Sequence, residues 1–255
     1  MGAWDTYEKR INASGKTQRD VVFNREAYFL NKKLGDSLSY HEAIVDGEKR
    51  QVVIINSDNL DEKIMMSMPG EDFECGKYVE WMRNHWLIKE KDANNELYTR
   101  VKLWQCNYLL HWIDNNGVLH EQWCVIEDGT KYLTGEIEDR WFYTTKGDAR
   151  IAMHIGRNEY TKEFGRDYRF LVDEPGSNEM MAFGLTKPLK IGHTYDDQGI
   201  YSFVLQEVVS TDDDNFELGV ANYYKYFPKK PEVQETAPSV EDKYTDEKER
   251  KKVWF

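Results

Sequence analysis

The sequence predicts a mostly β protein. A β-barrel or sandwich of antiparallel strands is expected, with an N-terminal helical arm before it and a second β-domain and a flexible C-terminal tail after it. Three observations lead there. From Tyr40 onward the apolar residues recur with a period of two. Short apolar runs are separated by turns at Asp46-Gly47, Asn115-Asn116-Gly117, Asp128-Gly129 and Gln198-Gly199. The strand-helix alternation that builds parallel sheets does not occur. At 255 residues the chain can hold one large all-β unit or two smaller domains, with a core in either case.

The arm, residues 1–38, comes first. Trp4, Tyr7 and Ile11 fall at helical spacing, and Val21 to Leu30 form a second helical stretch. Between them Gly15-Lys16-Thr17 copies the end of a phosphate-binding loop. The first glycine of that motif would fall at Arg10, after a polar helix rather than an apolar strand, so an inter-helix turn is the better reading.

Residues 39–115 are expected to form the barrel. Ala43-Ile44-Val45 and Val52 to Ile55 flank Asp46-Gly47, which supplies the positive φ angles of a tight hairpin turn. Gly70 and Gly76 read as turn residues. In Lys77 to Trp81, Val79 and Trp81 share the core face, and Trp81 and Trp86 are packing anchors. In Arg100 to Trp104 the core face carries Val101 and Leu103. Tyr78 and Trp104 are left on the opposite faces, as candidates for docking a partner.

Residues 116–227 are expected to be the additional β-domain. Tyr201, Phe203 and Leu205 oppose Ser202, Val204 and Gln206, a pattern of a strand covered on two sides. Val220, Tyr223, Tyr224 and Phe227 suggest a short helix after the acidic run Asp212-Asp213-Asp214. Residues 228–255 form the tail, with three of the six prolines and many charges. It ends Lys251-Lys252-Val253-Trp254-Phe255, where Trp254 and Phe255 make a docking peptide or a frayed terminus.

A net charge of −12 argues against general nucleic-acid binding, which needs Lys and Arg against phosphates. No run of about 18 apolar residues occurs, and the start lacks the layout of a signal peptide, so a soluble, cytoplasmically made protein without membrane contact is expected. Cys75, Cys106 and Cys124 are expected as buried free thiols. His111 and His120 lie almost symmetrically about Asn116-Gly117 with Cys124 nearby, yet a metal site there lacks a fourth ligand. The carboxylate runs Glu71-Asp72, Asp196-Asp197 and Asp212 to Asp214 read as solvated loops. No nucleophile motif or Cys/His pairing is present. The expectation is therefore a protein that is not an enzyme, with no catalytic, cofactor or metal residues.

Met68-Pro69-Gly70-Glu71-Asp72-Phe73, Gly76 to Trp81, Asn84-His85-Trp86-Leu87-Ile88, Tyr98, Cys106-Asn107 and Leu110-His111-Trp112 resemble tailed-bacteriophage neck proteins. Specifically, the chain is similar to the head-closure or head-tail adaptor proteins of siphophages that infect Gram-positive bacteria. Tyr132 to Gly135, Arg150 to Met153, Phe170 to Asp173, Leu185 to Lys190 and Val204 to Glu207 extend the resemblance, which spans about Trp4 to Phe227. It implies a homo-oligomeric ring in the virion neck, between the portal or adaptor above and tail proteins below, around the channel through which genomic DNA passes during ejection. Members are usually short, so the residues beyond about Asn115 would be an added domain. The loop from Ile55 to Pro69 is the candidate for the channel wall, with Asp58, Asp61 and Glu62 facing phosphates. The alternatives are another ring-forming tail component, such as a tail terminator or baseplate protein, and a carbohydrate-binding β-module.

Overall fold

The structure, a computed structural model, describes residues 2–92, 96–128, 150–166, 168–173, 180–188, 190, 193–195 and 197–228. The chain is mostly β, with a helical arm and two barrel-like antiparallel sheets, as its patterning predicts.

Helix α1 (Ala3–Ile11) runs into a 3-10 turn at Asn12–Ser14 and then an elbow at Gly15, whose φ is +140°. A Cβ there would lie 2.5 Å from Asp20 Cβ, so the close return of the chain requires glycine. Thr17 caps α2 (Gln18–Gly35): its hydroxyl accepts from Asp20 N at 3.1 Å, while its own N–H donates to Asp20 Oδ2 at 3.0 Å. Gly15-Lys16-Thr17 is thus an elbow and a cap. No residue of α2 is buried.

Six strands close the barrel: β1 (Tyr40–Val45), β2 (Glu48–Asn56), β3 (Glu62–Ser67), β4 (Tyr78–Trp81), β5 (Asn84–Lys91) and β6 (Arg100–Gln105). Their order is β1-β2-β3-β6-β5-β4, and β1 pairs back on β4 through Val45 and Val79. Asp46 (φ 52°) and Gly47 (φ 82°) make the first hairpin turn. Met82 (φ 49°) and Arg83 (φ 65°) make the β4–β5 turn without any glycine. Val45, Val52, Ile54, Met65, Phe73, Val79, Trp86, Ile88, Val101 and Leu103 fill the interior, and Trp81 packs against them.

Among the described residues the second sheet has seven strands: β7 (Tyr108–Ile113), β8 (Leu119–Asp128), β9 (Arg150–Gly156), β10 (Arg169–Val172), β11 (Met181–Lys187), β12 (His193–Tyr195) and β13 (Gln198–Val208). The order is β10-β11-β13-β9-β8-β7, with β12 beside the start of β13. The sheet curls until its edges meet. The Tyr108 hydroxyl on β7 reaches the Leu171 and Asp173 carbonyls, both at 3.2 Å, and the Tyr168 hydroxyl donates to the Ile113 carbonyl. Leu110, Trp112, Met153, Ile155, Phe164, Phe170, Phe183, Tyr201, Phe203 and Leu205 fill the space inside.

Three expectations need correction. The strand Tyr108–Ile113, assigned from sequence to the first unit, belongs to the second sheet, because closure of the six-stranded barrel leaves no edge for a seventh strand. Ser202, Val204 and Gln206 on β13 are exposed, so that stretch is covered on one side only. The helix expected around Val220 to Phe227 is the single turn α3 (Tyr223–Tyr226), since Val220 is held in a bridge to Asn215 and Asn222 sits at φ 57°.

Candidate interaction surfaces

The barrel and the curled sheet meet over a shared apolar cluster. Leu87, Trp104 and Cys106 from the barrel side pack with Val125 and Ile200 of the sheet, and Tyr78 and Trp123 border them. The two bodies come closest at three glycines. A Cβ on Gly76 (φ +83°) would lie 1.9 Å from the Gly199 carbonyl oxygen, and one on Gly156 would lie 2.2 Å from the Gly76 carbonyl oxygen. The backbones bond across this contact: Gly199 N donates to Cys75 O at 3.0 Å.

Tyr78 sits at the centre of this junction. Its hydroxyl donates to Trp123 O at 2.6 Å and accepts from Gln122 Nε2 at 2.8 Å and Gly156 N at 3.0 Å. Burial drives the Tyr78 phenol well above its ordinary pKa, so it stays a neutral donor. Trp104 is 8% exposed, lies 4.6 Å from the His154 ring and carries the Lys89 ammonium 4.0 Å above its own ring. Both residues, expected to wait for a partner protein, are covered by this chain's own second sheet. Alternation marked their face correctly but could not say what covers it.

Of Ile55 to Pro69, expected as a loop, only residues 57–61 connect β2 to β3, because Glu62–Ser67 pairs with β2 and β6 as a barrel strand. Asp58 and Asp61 are exposed, and Leu60 between them is 90% exposed. Glu62 differs. It is buried, pairs with Lys102 at 2.7 Å and Lys89 at 3.4 Å, and accepts from Asn59 Nδ2 at 2.9 Å. A bulge in β5 after Ile88 leaves Lys89 without a cross-strand partner and turns it towards Glu62. Burial works to raise the Glu62 pKa, but the hydrogen bonds from Lys102 and Asn59 and the two ammonium charges outweigh it and hold the carboxyl below its ordinary range. Glu62 is therefore not a phosphate-facing group; it anchors the loop that carries Asp58 and Asp61.

Gly70 (φ +87°) and Gly76 occupy turns, Trp86 is 3% exposed in the barrel core, and Trp81 bridges it to His41, with ring centroids 6.2 and 5.1 Å away. Trp254 and Phe255 lie outside the described residues, as do Gly129 and Tyr132 to Gly135. The register sets His111 opposite Glu121 and His120 opposite Trp112, so the two imidazoles point to opposite faces. His120 instead bonds Asp114 Oδ2 at 3.1 Å. Among the described residues no group of three or more His, Cys, Asp or Glu is gathered where a metal would sit. The three cysteines are buried and free, and burial pushes the Cys106 thiol up to about 12.

Sequence reasoning missed one anchor. Asp214, in the run taken as a solvated loop, has a fully buried side chain that binds Arg169 at 2.8 Å and accepts from Thr211 N and Asn222 N. Asp212 and Asp213 are exposed, as expected. Nothing in an acidic triplet tells which member turns inward; the lone Arg169 on an otherwise apolar strand was the available signal.

A family model described as the YomX N-terminal domain, a phage-derived domain, matches residues 9–105. The matched span starts near the end of α1 and ends on the last residue of β6, so it covers α2 and the closed barrel, leaves out most of α1, and stops where the second sheet begins. No curated protein and no solved structure matches the chain. The match suggests a phage protein. No helix among the described residues is long and apolar enough to cross a membrane.

Proposed function

We propose that the protein is a non-catalytic structural component of a tailed-phage virion, a head-closure or head-tail adaptor subunit. In this reading it forms a homo-oligomeric ring that joins the portal to the tail around the DNA channel. The observation that carries the reading is the phage-derived domain, whose match spans α2 and the closed barrel. Three features of the chain support it. The glycine junction and the Tyr78 hydroxyl tie the two β bodies together through backbone contact, which suits a structural part. The arm leaves apolar side chains open for neighbours. The β2–β3 loop presents carboxylates that repel a passing phosphate backbone, so that DNA is not held by contacts to it.

The test is composition and binding. Mass spectrometry of purified virions should find the chain, and the purified protein should assemble on portal-bearing capsids. Absence from virions, or no binding to such capsids, overturns the proposal. Binding to isolated tail tubes instead of capsids would assign the chain to the tail terminator class.

A further inference from the structure

The arm carries two exposed apolar stripes, and each holds charge of one sign. On α1, Trp4, Tyr7 and Ile11 share a face, 73%, 55% and 59% exposed, with Glu8 along its edge, one turn from both Trp4 and Ile11. Trp4 and Tyr7 already touch, with ring centroids 5.6 Å apart. On α2 the barrel side is set by the Arg19–Glu96 ion pair and by Val22 and Phe23, which lean over Leu97. That turns the opposite face outward, and it presents Val21 and Tyr28 with Arg25 and Lys32 among them. The elbow at Gly15 keeps the two stripes of one chain from covering each other, since both are exposed. A nine-residue helix with no tertiary cover is marginal in water, so α1 needs a surface to fold against.

We propose that α1 of one copy packs on the outward face of α2 of a second copy, with Glu8 against Arg25 and Lys32. Charge selects this pairing. An α2-on-α2 contact would set Arg25 against Arg25, and an α1-on-α1 contact would set Glu8 against Glu8, whereas α1-on-α2 places opposite charges inside an apolar seam. Such a contact is head-to-tail. It leaves a free α1 and a free α2 stripe at the two ends and so propagates, closing into a ring if the rotation between copies allows. This inference rests on the self-assembly part of the proposed function and supplies the surface for it.

Sedimentation of the purified full chain across a concentration series tests it. The wild type should associate. Glu8→Arg and Arg25→Glu should each raise the dissociation constant about tenfold or more, and the double swap should recover most of the loss. Lys9→Glu, off the stripe, should leave association unchanged, and circular dichroism should show every variant folded. A monomeric wild type, single variants that associate normally, or a double swap that fails to recover each overturns the contact. A chain that is monomeric in solution yet present in the neck overturns the arm contact alone. A chain that associates through the arm yet is absent from virions overturns the neck reading alone.

Discussion

Gly76 is constrained twice, by a positive φ of 83° and by a carbonyl that would stand 1.9 Å from any Cβ. Gly47 has a nearly equal φ of 82° and nothing within 4 Å. The pair separates backbone strain from close approach. Gly47→Ala should cost about 1–2 kcal/mol, the left-handed penalty alone. Gly76→Ala should cost about 3 kcal/mol or more, because the barrel and sheet must also move apart. Urea denaturation measures both, and equal costs would mean that the junction yields easily. Tyr78→Phe probes the same contact. It leaves Gly156 N with no hydroxyl to bond and should destabilise by about 1–3 kcal/mol without weakening self-association. A loss of association with unchanged stability would restore Tyr78 to a docking role.

At the level of elements, the turns and strand faces were legible and the long-range cover was not. Asp46-Gly47 and Asn116-Gly117 announced their hairpins because positive φ favours glycine, whereas Gln198-Gly199, read as a turn, opens β13 and pairs with Tyr195 and Thr194, its glycine serving the close approach to Gly76. Met82-Arg83 did the same work with no such mark in the sequence. The fate of Tyr78, Trp104 and Glu62 depended on partners dozens of residues away, which no local pattern encodes.

The β3 clamp has a pH signature. Glu62 is held below its ordinary value of 4.5 and Asp72, bonded by Lys91 and Thr99, below 3.8. A carboxyl depressed in the folded state stabilises fully above its unfolded value and loses that contribution as pH falls through the folded one. Stability should therefore hold above about pH 5 and decline below pH 4.5. Glu62→Gln should lower stability at pH 7 by about 1–3 kcal/mol, a range reduced because both lysines are partly solvated. The gap between the variant and the wild type should narrow as pH falls through the folded-state pKa of Glu62. A constant gap across the titration would show that the carboxylate charge contributes nothing.

On the scale of the whole molecule, the chain is a pair of β bodies in direct backbone contact, with the helical arm and the β2–β3 loop exposed beyond them. If the loop lines a DNA channel, Asp58→Asn with Asp61→Asn should slow or stall genome release, because phosphates would meet less repulsion and more transient contact. Unchanged ejection kinetics would remove the loop from the channel. Folding should be unaffected, since both side chains are exposed and Glu62 remains as the anchor.

The central claim is one of position, and cryo-electron microscopy of the intact particle tests it most directly. A ring of this chain is expected between portal and tail, with the loop that carries Asp58 and Asp61 turned to the lumen and arms reaching neighbouring copies. Density for the chain at the tail tip or baseplate, or a complete neck built of other proteins, would contradict it.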